Sequence, residues 1–147
     1  MAKRATKEYK LKAQTQFRVR FSEVDMMQIV WHGNYAKYFE DAREAFGLSY
    51  PGLGYMEIYN NGYTAPIVEM SIQYKSSIRY NEAGIVEIRY IPSEAAKICF
   101  EYEIREAKSL RIVATGTTTQ VFLDEKGDLQ LNTPQFYQAW QTKWNVE

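Results

Sequence analysis

Residues able to carry out chemistry are sparse in this chain and concentrate in one place. It has a single histidine, His32, and a single cysteine, Cys99. A Ser-His-Asp or Cys-His arrangement would have to use His32, and no Gly-x-Ser-x-Gly elbow accompanies it. One cysteine forms no internal disulfide, and one cysteine with one histidine falls short of most structural zinc signatures. Neither the phosphate-cradling Gly-x-x-x-x-Gly-Lys loop nor the dinucleotide Gly-x-Gly-x-x-Gly pattern occurs. What remains is the stretch from Asp25 to Asn34, a carboxylate just ahead of a helix. The first N–H groups of a helix have no intrahelical acceptor and carry the positive end of its dipole. Such a terminus can bind an oxyanion or polarise a carbonyl beside the Asp25 carboxylate.

The elements that hold this stretch are legible from periodicity. Phe17, Val19 and Phe21 alternate with Gln16, Arg18 and Arg20, which predicts a half-buried strand from Thr15. Tyr35, Tyr38, Phe39, Ala42 and Phe46 recur at the spacing of one helix face, with Asn34 as the expected N-cap and Gly47 as the expected stop. Residues 48 to 63 read as an irregular connection with room for one helical turn. Alternating or apolar runs then predict strands over 68–75, 85–91, 97–104 and 113–123. Gly116 interrupts the last of these, a sign of a bulge or a closely approaching neighbour. A final helix is expected to begin at Thr133 and Pro134 and to run through Phe136, Tyr137, Trp140 and Trp144. This order predicts an α+β fold, a long antiparallel sheet with one central helix against a face and a short C-terminal helix.

Composition narrows the classes further. At 147 residues, one domain with a full core is expected. Residues 1 to 12 carry five basic side chains and one acid, and are read as a flexible basic arm ahead of a single domain over 13–147. The 18 basic and 18 acidic residues cancel, so the chain has no generic electrostatic grip on nucleic acid. No apolar run is long enough to span a bilayer, and the basic start leads into no apolar signal region. A cytoplasmic protein with no membrane association is expected. Aromatic residues reach 15%, with 12 tyrosines, which favours strands and surfaces that are part greasy and part wet, such as subunit interfaces.

Three segments carry a family resemblance. They are Arg20-Phe21-Ser22-Glu23-Val24-Asp25, Ile29-Val30-Trp31-His32-Gly33-Asn34-Tyr35, and Tyr38-Phe39-Glu40-Asp41-Ala42-Arg43. With Met70 to Tyr74, Ile78 to Glu82, Ile98 to Ile104 and Ala114 to Asp124 in order behind them, the chain resembles the 4-hydroxybenzoyl-CoA thioesterase family of hotdog-fold acyl-CoA thioesterases. The resemblance implies a hotdog fold, paired as a homodimer or a homotetramer (a dimer of dimers), with the active site between subunits. It implies hydrolysis of an acyl-CoA or acyl-carrier-protein thioester to free acid and thiol, with no cofactor beyond the coenzyme A of the substrate. Asp25 matches the catalytic aspartate, as nucleophile or general base, and the backbone amide of His32 matches the group that polarises the thioester carbonyl.

Substrate contacts are implied for Met26, Met27, Gln28, Trp31, Gly33 and Tyr35, with Arg79 and Lys97 reaching the nucleotide phosphates. The chain departs from the family pattern in three places. Gln28 stands where a glycine is usual, Ser77 replaces a proline, and Glu94, Ala95 and Ala96 occupy a segment that is often basic. Two other readings remain open at this point: a binding module that holds an acyl thioester without turnover, and a hydroxyacyl-thioester dehydratase.

Overall fold

The apolar face of the central helix explains the layout. In the computed structural model, which describes residues 9–147, helix α1 spans Tyr35–Ser49. Tyr35, Tyr38, Phe39, Ala42 and Phe46 are all buried against one sheet. Five antiparallel strands form that sheet: β1 Lys12–Arg18, β2 Ile67–Tyr74, β3 Ala83–Ile91, β4 Lys97–Glu106 and β5 Ile112–Val121. Their spatial order is β1-β3-β4-β5-β2, so β1 and β2 are the edges. Helix α2 spans Tyr55–Asn60, and helix α3 spans Gln135–Lys143. No helix among the described residues is long and apolar enough to cross a membrane.

Side-chain alternation assigns the two sheet faces. Val86, Ile88 and Tyr90 of β3 are buried under the helix, as are Ile98, Phe100, Tyr102 and Ile104 of β4. Phe39 stacks on Tyr102 with ring centroids 4.3 Å apart, and Phe46 meets Phe100 edge-on at 4.9 Å. Five tyrosines, at 35, 38, 90, 102 and 137, are buried, so much of the aromatic content fills the helix–sheet layer rather than a surface. Buried hydroxyls need partners: Tyr102 bonds Thr118 at 2.8 Å, and Tyr137 donates to the Lys97 carbonyl at 3.0 Å. The outer face carries polar side chains, Cys99 with Thr119 among them at a sulfur–oxygen separation of 4.0 Å.

Several local expectations shift. The first strand ends at Arg18, and Phe21 lies exposed in a 3-10 turn over Phe21–Glu23 instead of alternating into the core. Gly47 does not stop α1, which runs to Ser49 ahead of Pro51. Asn34 makes no cap; its side-chain amide donates to the Glu23 carbonyl. Thr133 does not cap α3, whose preceding residue is Pro134. Gly116 marks close approach rather than a bulge, since a Cβ there would lie 2.5 Å from Phe39 Cε2 and 2.7 Å from the Ser71 carbonyl oxygen. The 1–12 arm lies outside the described residues up to residue 8. Residues 9 to 12 are docked: Tyr9 bonds Glu101, Leu11 is buried, and the Leu11 carbonyl accepts the Tyr90 N–H.

Candidate active site

Between β1 and α1 the chain folds into a tight hairpin. Val24 pairs with Val30, the Asp25 N–H donates to the Ile29 carbonyl at 2.9 Å, and the Gln28 N–H donates to the Asp25 carbonyl at 3.0 Å. One carboxylate oxygen of Asp25 accepts the Met27 N–H at 2.8 Å, an Asx turn that fixes the side chain at the hairpin's base. Among the described residues the other oxygen takes no hydrogen bond, and the residue is half-exposed. Gln28 has a φ of 60°, in the left-handed region where glycine is favoured. A glycine would adopt this backbone conformation freely. Here glutamine adopts it under strain.

The hairpin is held from two sides. Ile29 pairs with Arg79, the Val30 N–H donates to the Ile78 carbonyl at 2.9 Å, and the Tyr80 N–H donates to the Gln28 carbonyl at 3.3 Å. On the other side stands Glu23, buried to 4% exposure. Its carboxylate accepts the Arg20 N–H at 2.8 Å, the Tyr38 hydroxyl at 3.0 Å and the Lys37 ammonium at 3.1 Å. Its carbonyl accepts the Trp31 N–H and the Asn34 amide, both at 2.9 Å. Burial would raise the Glu23 carboxyl pKa, but these donors together hold it below the ordinary carboxylate range. The Tyr38 phenol is pushed well above its ordinary value by burial and by the Glu23 charge. Glu23 thus ties the end of β1, the hairpin and α1 into one unit.

From Trp31 the chain enters a 3-10 turn over His32–Asn34 that runs directly into α1. The leading N–H groups of this turn lie at the helix entrance, where intrahelical acceptors end. The Trp31 ring lies across Gly33 so closely that a Cβ would sit 2.1 Å from it. The His32 carbonyl accepts the Tyr74 hydroxyl at 2.9 Å.

Asp25, Met26, Met27, Gln28, Trp31, His32, Gly33 and Arg79 are therefore gathered at one end of the molecule. Two expected contacts fall elsewhere. Tyr35 is buried, its ring 5.0 Å from Tyr74 and 6.1 Å from Tyr38, so it offers no surface to a ligand in the single chain. Lys97 opens β4, whose other end, Glu106, pairs near the hairpin side of the sheet through Gly84. About ten strand residues, roughly 30 Å, separate the two ends. Glu23 and Tyr74 were not singled out from sequence. A buried carboxylate hub and a cross-element hydroxyl leave no periodic signal.

Comparison with known proteins places the chain. The model of the thioesterase-like superfamily matches residues 19–141. The Bacillus subtilis protein YneP, provisionally named an acyl-CoA thioesterase, is 28% identical over 127 residues, covering 86% of this chain and 90% of that protein. The DHNA-CoA thioesterase of Staphylococcus aureus is 26% identical, with a TM-score of 0.78 over 92% of this chain and 93% of its own. The 1,4-dihydroxy-2-naphthoyl-CoA thioesterase Slr0204 of Synechocystis, at 20% identity, shares the fold with a TM-score of 0.78 over 92% of this chain and 99% of its own.

Proposed function

The chain belongs to the thioesterase-like superfamily, and from that premise we propose that it hydrolyses an acyl-CoA thioester with Asp25 as its reacting carboxylate. One observation carries this reading: Asp25 has one oxygen fixed by the Met27 N–H and the other open, in the hairpin that leads into the helix-opening turn.

A carboxylate is ionised at neutral pH but is a weak base. Its open oxygen attacks the thioester carbon, the carbon–sulfur bond breaks, and the coenzyme leaves as thiolate and takes a proton from water. Water then cleaves the mixed anhydride to free acid and restores Asp25. Alternatively the carboxylate orients a water that attacks directly. In either route the demanding feature is the negative charge on the carbonyl oxygen, and the His32 N–H at the helix entrance is the donor assigned to it. Met26, Met27, Gln28, Trp31 and Gly33 surround this point, and Arg79, exposed beside Ile29, is the cation assigned to the coenzyme phosphates. Lys97 enters only through a second subunit. No cofactor takes part, and the reading assigns the chain to the cytoplasm.

A second copy is part of the reading. Strand β2 is a sheet edge with Val68, Met70 and Tyr74 exposed, and the hairpin tip exposes Met26 and Met27. Exposed apolar edge strands seek a pairing partner. A homodimer joined along β2, with scope to pair again into a tetramer, would cover both.

The test is thiol release from a panel of acyl-CoAs by the full chain and by Asp25→Asn. The amide keeps the Met27 bond, and its expected effect is a loss of at least ~10²-fold in kcat with the assembly intact by light scattering. Unchanged turnover in that variant removes Asp25 from the reaction.

A further inference from the structure

A groove beyond this site remains unassigned. Residues three and four apart share a helix face, so Ala36, Glu40, Arg43 and Gly47 form a stripe from the first to the last turn of α1, on which Glu40 and Arg43 pair with each other. On β2, Met70, Ile72 and Tyr74 alternate onto the helix side, where Ile72 packs on the core and the Tyr74 ring meets Tyr35. Met70 and Tyr74 are left exposed, so an apolar row runs from the His32 contact along the strand.

Glu40, Arg43 and Gly47 of the stripe, and Ile67 at the start of β2, line a cavity of about 890 Å³ between the second half of α1, α2 and residues 63 to 67. Phe46, Leu53, Ile58 and Phe100 are among its walls, while Glu40, Asp41 and Glu44 of α1 also line it. The exposed Tyr55, Met56 and Tyr59 of α2 also border it.

Dimensions select the occupant. From Glu40 to Leu48, the α1 residues at its limits, the helix advances about 12 Å. A zigzag of carbon–carbon bonds of about 1.5 Å needs roughly ten carbons for that length. The approach from Ala36 to Glu40 adds about 6 Å, or some five carbons more. A single aromatic ring would leave most of the cavity empty.

We propose that this groove receives the alkyl chain of an unbranched acyl thioester of about 12 to 16 carbons, whose carbonyl lies at the Asp25 and His32 end. The assignment of the carbonyl rests on the hydrolase reading above; the occupancy of the groove is tested separately.

The experiment has two arms on the full chain. In the first, kcat/KM is measured for butanoyl-, octanoyl-, dodecanoyl-, hexadecanoyl- and benzoyl-CoA. A buried methylene is worth about 3- to 4-fold, so at least ~100-fold is expected between butanoyl and dodecanoyl. Ala65→Phe and Gly47→Leu each build a side chain into the groove; at Gly47 a Cβ meets Gly54 Cα at an ordinary 3.5 Å. Each is expected to lower the dodecanoyl-to-butanoyl ratio at least ~10-fold, a ratio insensitive to a misfolded fraction.

The second arm measures calorimetric binding of dodecanoyl-CoA and of coenzyme A alone to Asp25→Asn, with and without Gly47→Leu. The acyl form should bind at least ~10-fold tighter, and the groove substitution should abolish the difference. A flat chain-length profile, a preference for benzoyl-CoA, or ratios indifferent to both substitutions would overturn the groove assignment and leave hydrolysis standing. Absence of turnover with every substrate would overturn the hydrolase reading, and the binding arm then decides the groove alone.

Discussion

The Tyr74 hydroxyl donates to the His32 carbonyl at 2.9 Å, joining the last residue of the edge strand to the first residue of the turn that opens α1. The Tyr74 ring meets His32 edge-on at 6.4 Å, so both ring and hydroxyl hold the helix entrance to the sheet. The donor assigned to the thioester carbonyl sits on this peptide segment, and its position depends on that link.

Tyr74→Phe removes only the hydroxyl. A neutral hydrogen bond is worth about 0.5–1.5 kcal/mol net, so kcat/KM should fall roughly 2- to 12-fold. Unfolding stability should fall by no more than the same amount, about 0.5–1.5 kcal/mol, because the ring stays. Steady-state kinetics with a thiol-release readout, alongside a melting curve, checks both halves.

Glu23→Gln tests the carboxylate hub. The amide oxygen keeps an acceptor for the Arg20 N–H but gives up the charge facing Lys37 and the Tyr38 hydroxyl. A loss of roughly 1–3 kcal/mol in denaturant unfolding is expected at pH 7. The folded Glu23 pKa lies below its ordinary 4.5. Its contribution is therefore present above that pH and is lost as pH falls through the lower folded value. The gap between parent and variant should narrow on acidification below about pH 4.5. A gap that stays constant from pH 7 to pH 3 would contradict the assignment.

Gln28→Gly relieves the left-handed backbone at the hairpin. The strain of about 1–2 kcal/mol outweighs the extra flexibility of glycine, leaving a net gain of about 0.5–1 kcal/mol. Chemical denaturation should register it as a higher midpoint at an unchanged slope. Gln28→Ala keeps the strained backbone and should show no such gain.

Gly116→Ala should cost about 1–3 kcal/mol, since the added methyl meets both the Phe39 ring and the Ser71 carbonyl. Pairing it with Phe39→Leu should recover part of the loss if the ring is the main obstacle. No recovery would locate the clash at the strand backbone instead.

Much of the architecture was legible because it rests on repetition. The 3.6-residue spacing from Tyr35 to Phe46 and the alternation from Ile98 to Ile104 each name the buried face outright, and both are buried as read. Element ends were less so. Gly47 and Thr133 have the residue types of a stop and a cap, yet α1 continues past the glycine to Ser49 and α3 begins after Pro134.

By itself the sequence determined the fold class, the order of strand, connecting stretch and helix around Asp25, and the resemblance that points to thioester hydrolysis. These follow from local pattern and from residue types at fixed spacing. Only the tertiary structure decided that Glu23 is the buried hub, that Tyr74 reaches His32, that Tyr35 is enclosed and that Lys97 stands at the far end of the sheet. These depend in part on residues that meet from far apart in the chain, as Glu23 meets Tyr38 over 15 positions and Tyr74 meets His32 over 42. Such meetings are settled by how the helix crosses the sheet, and no local period encodes them.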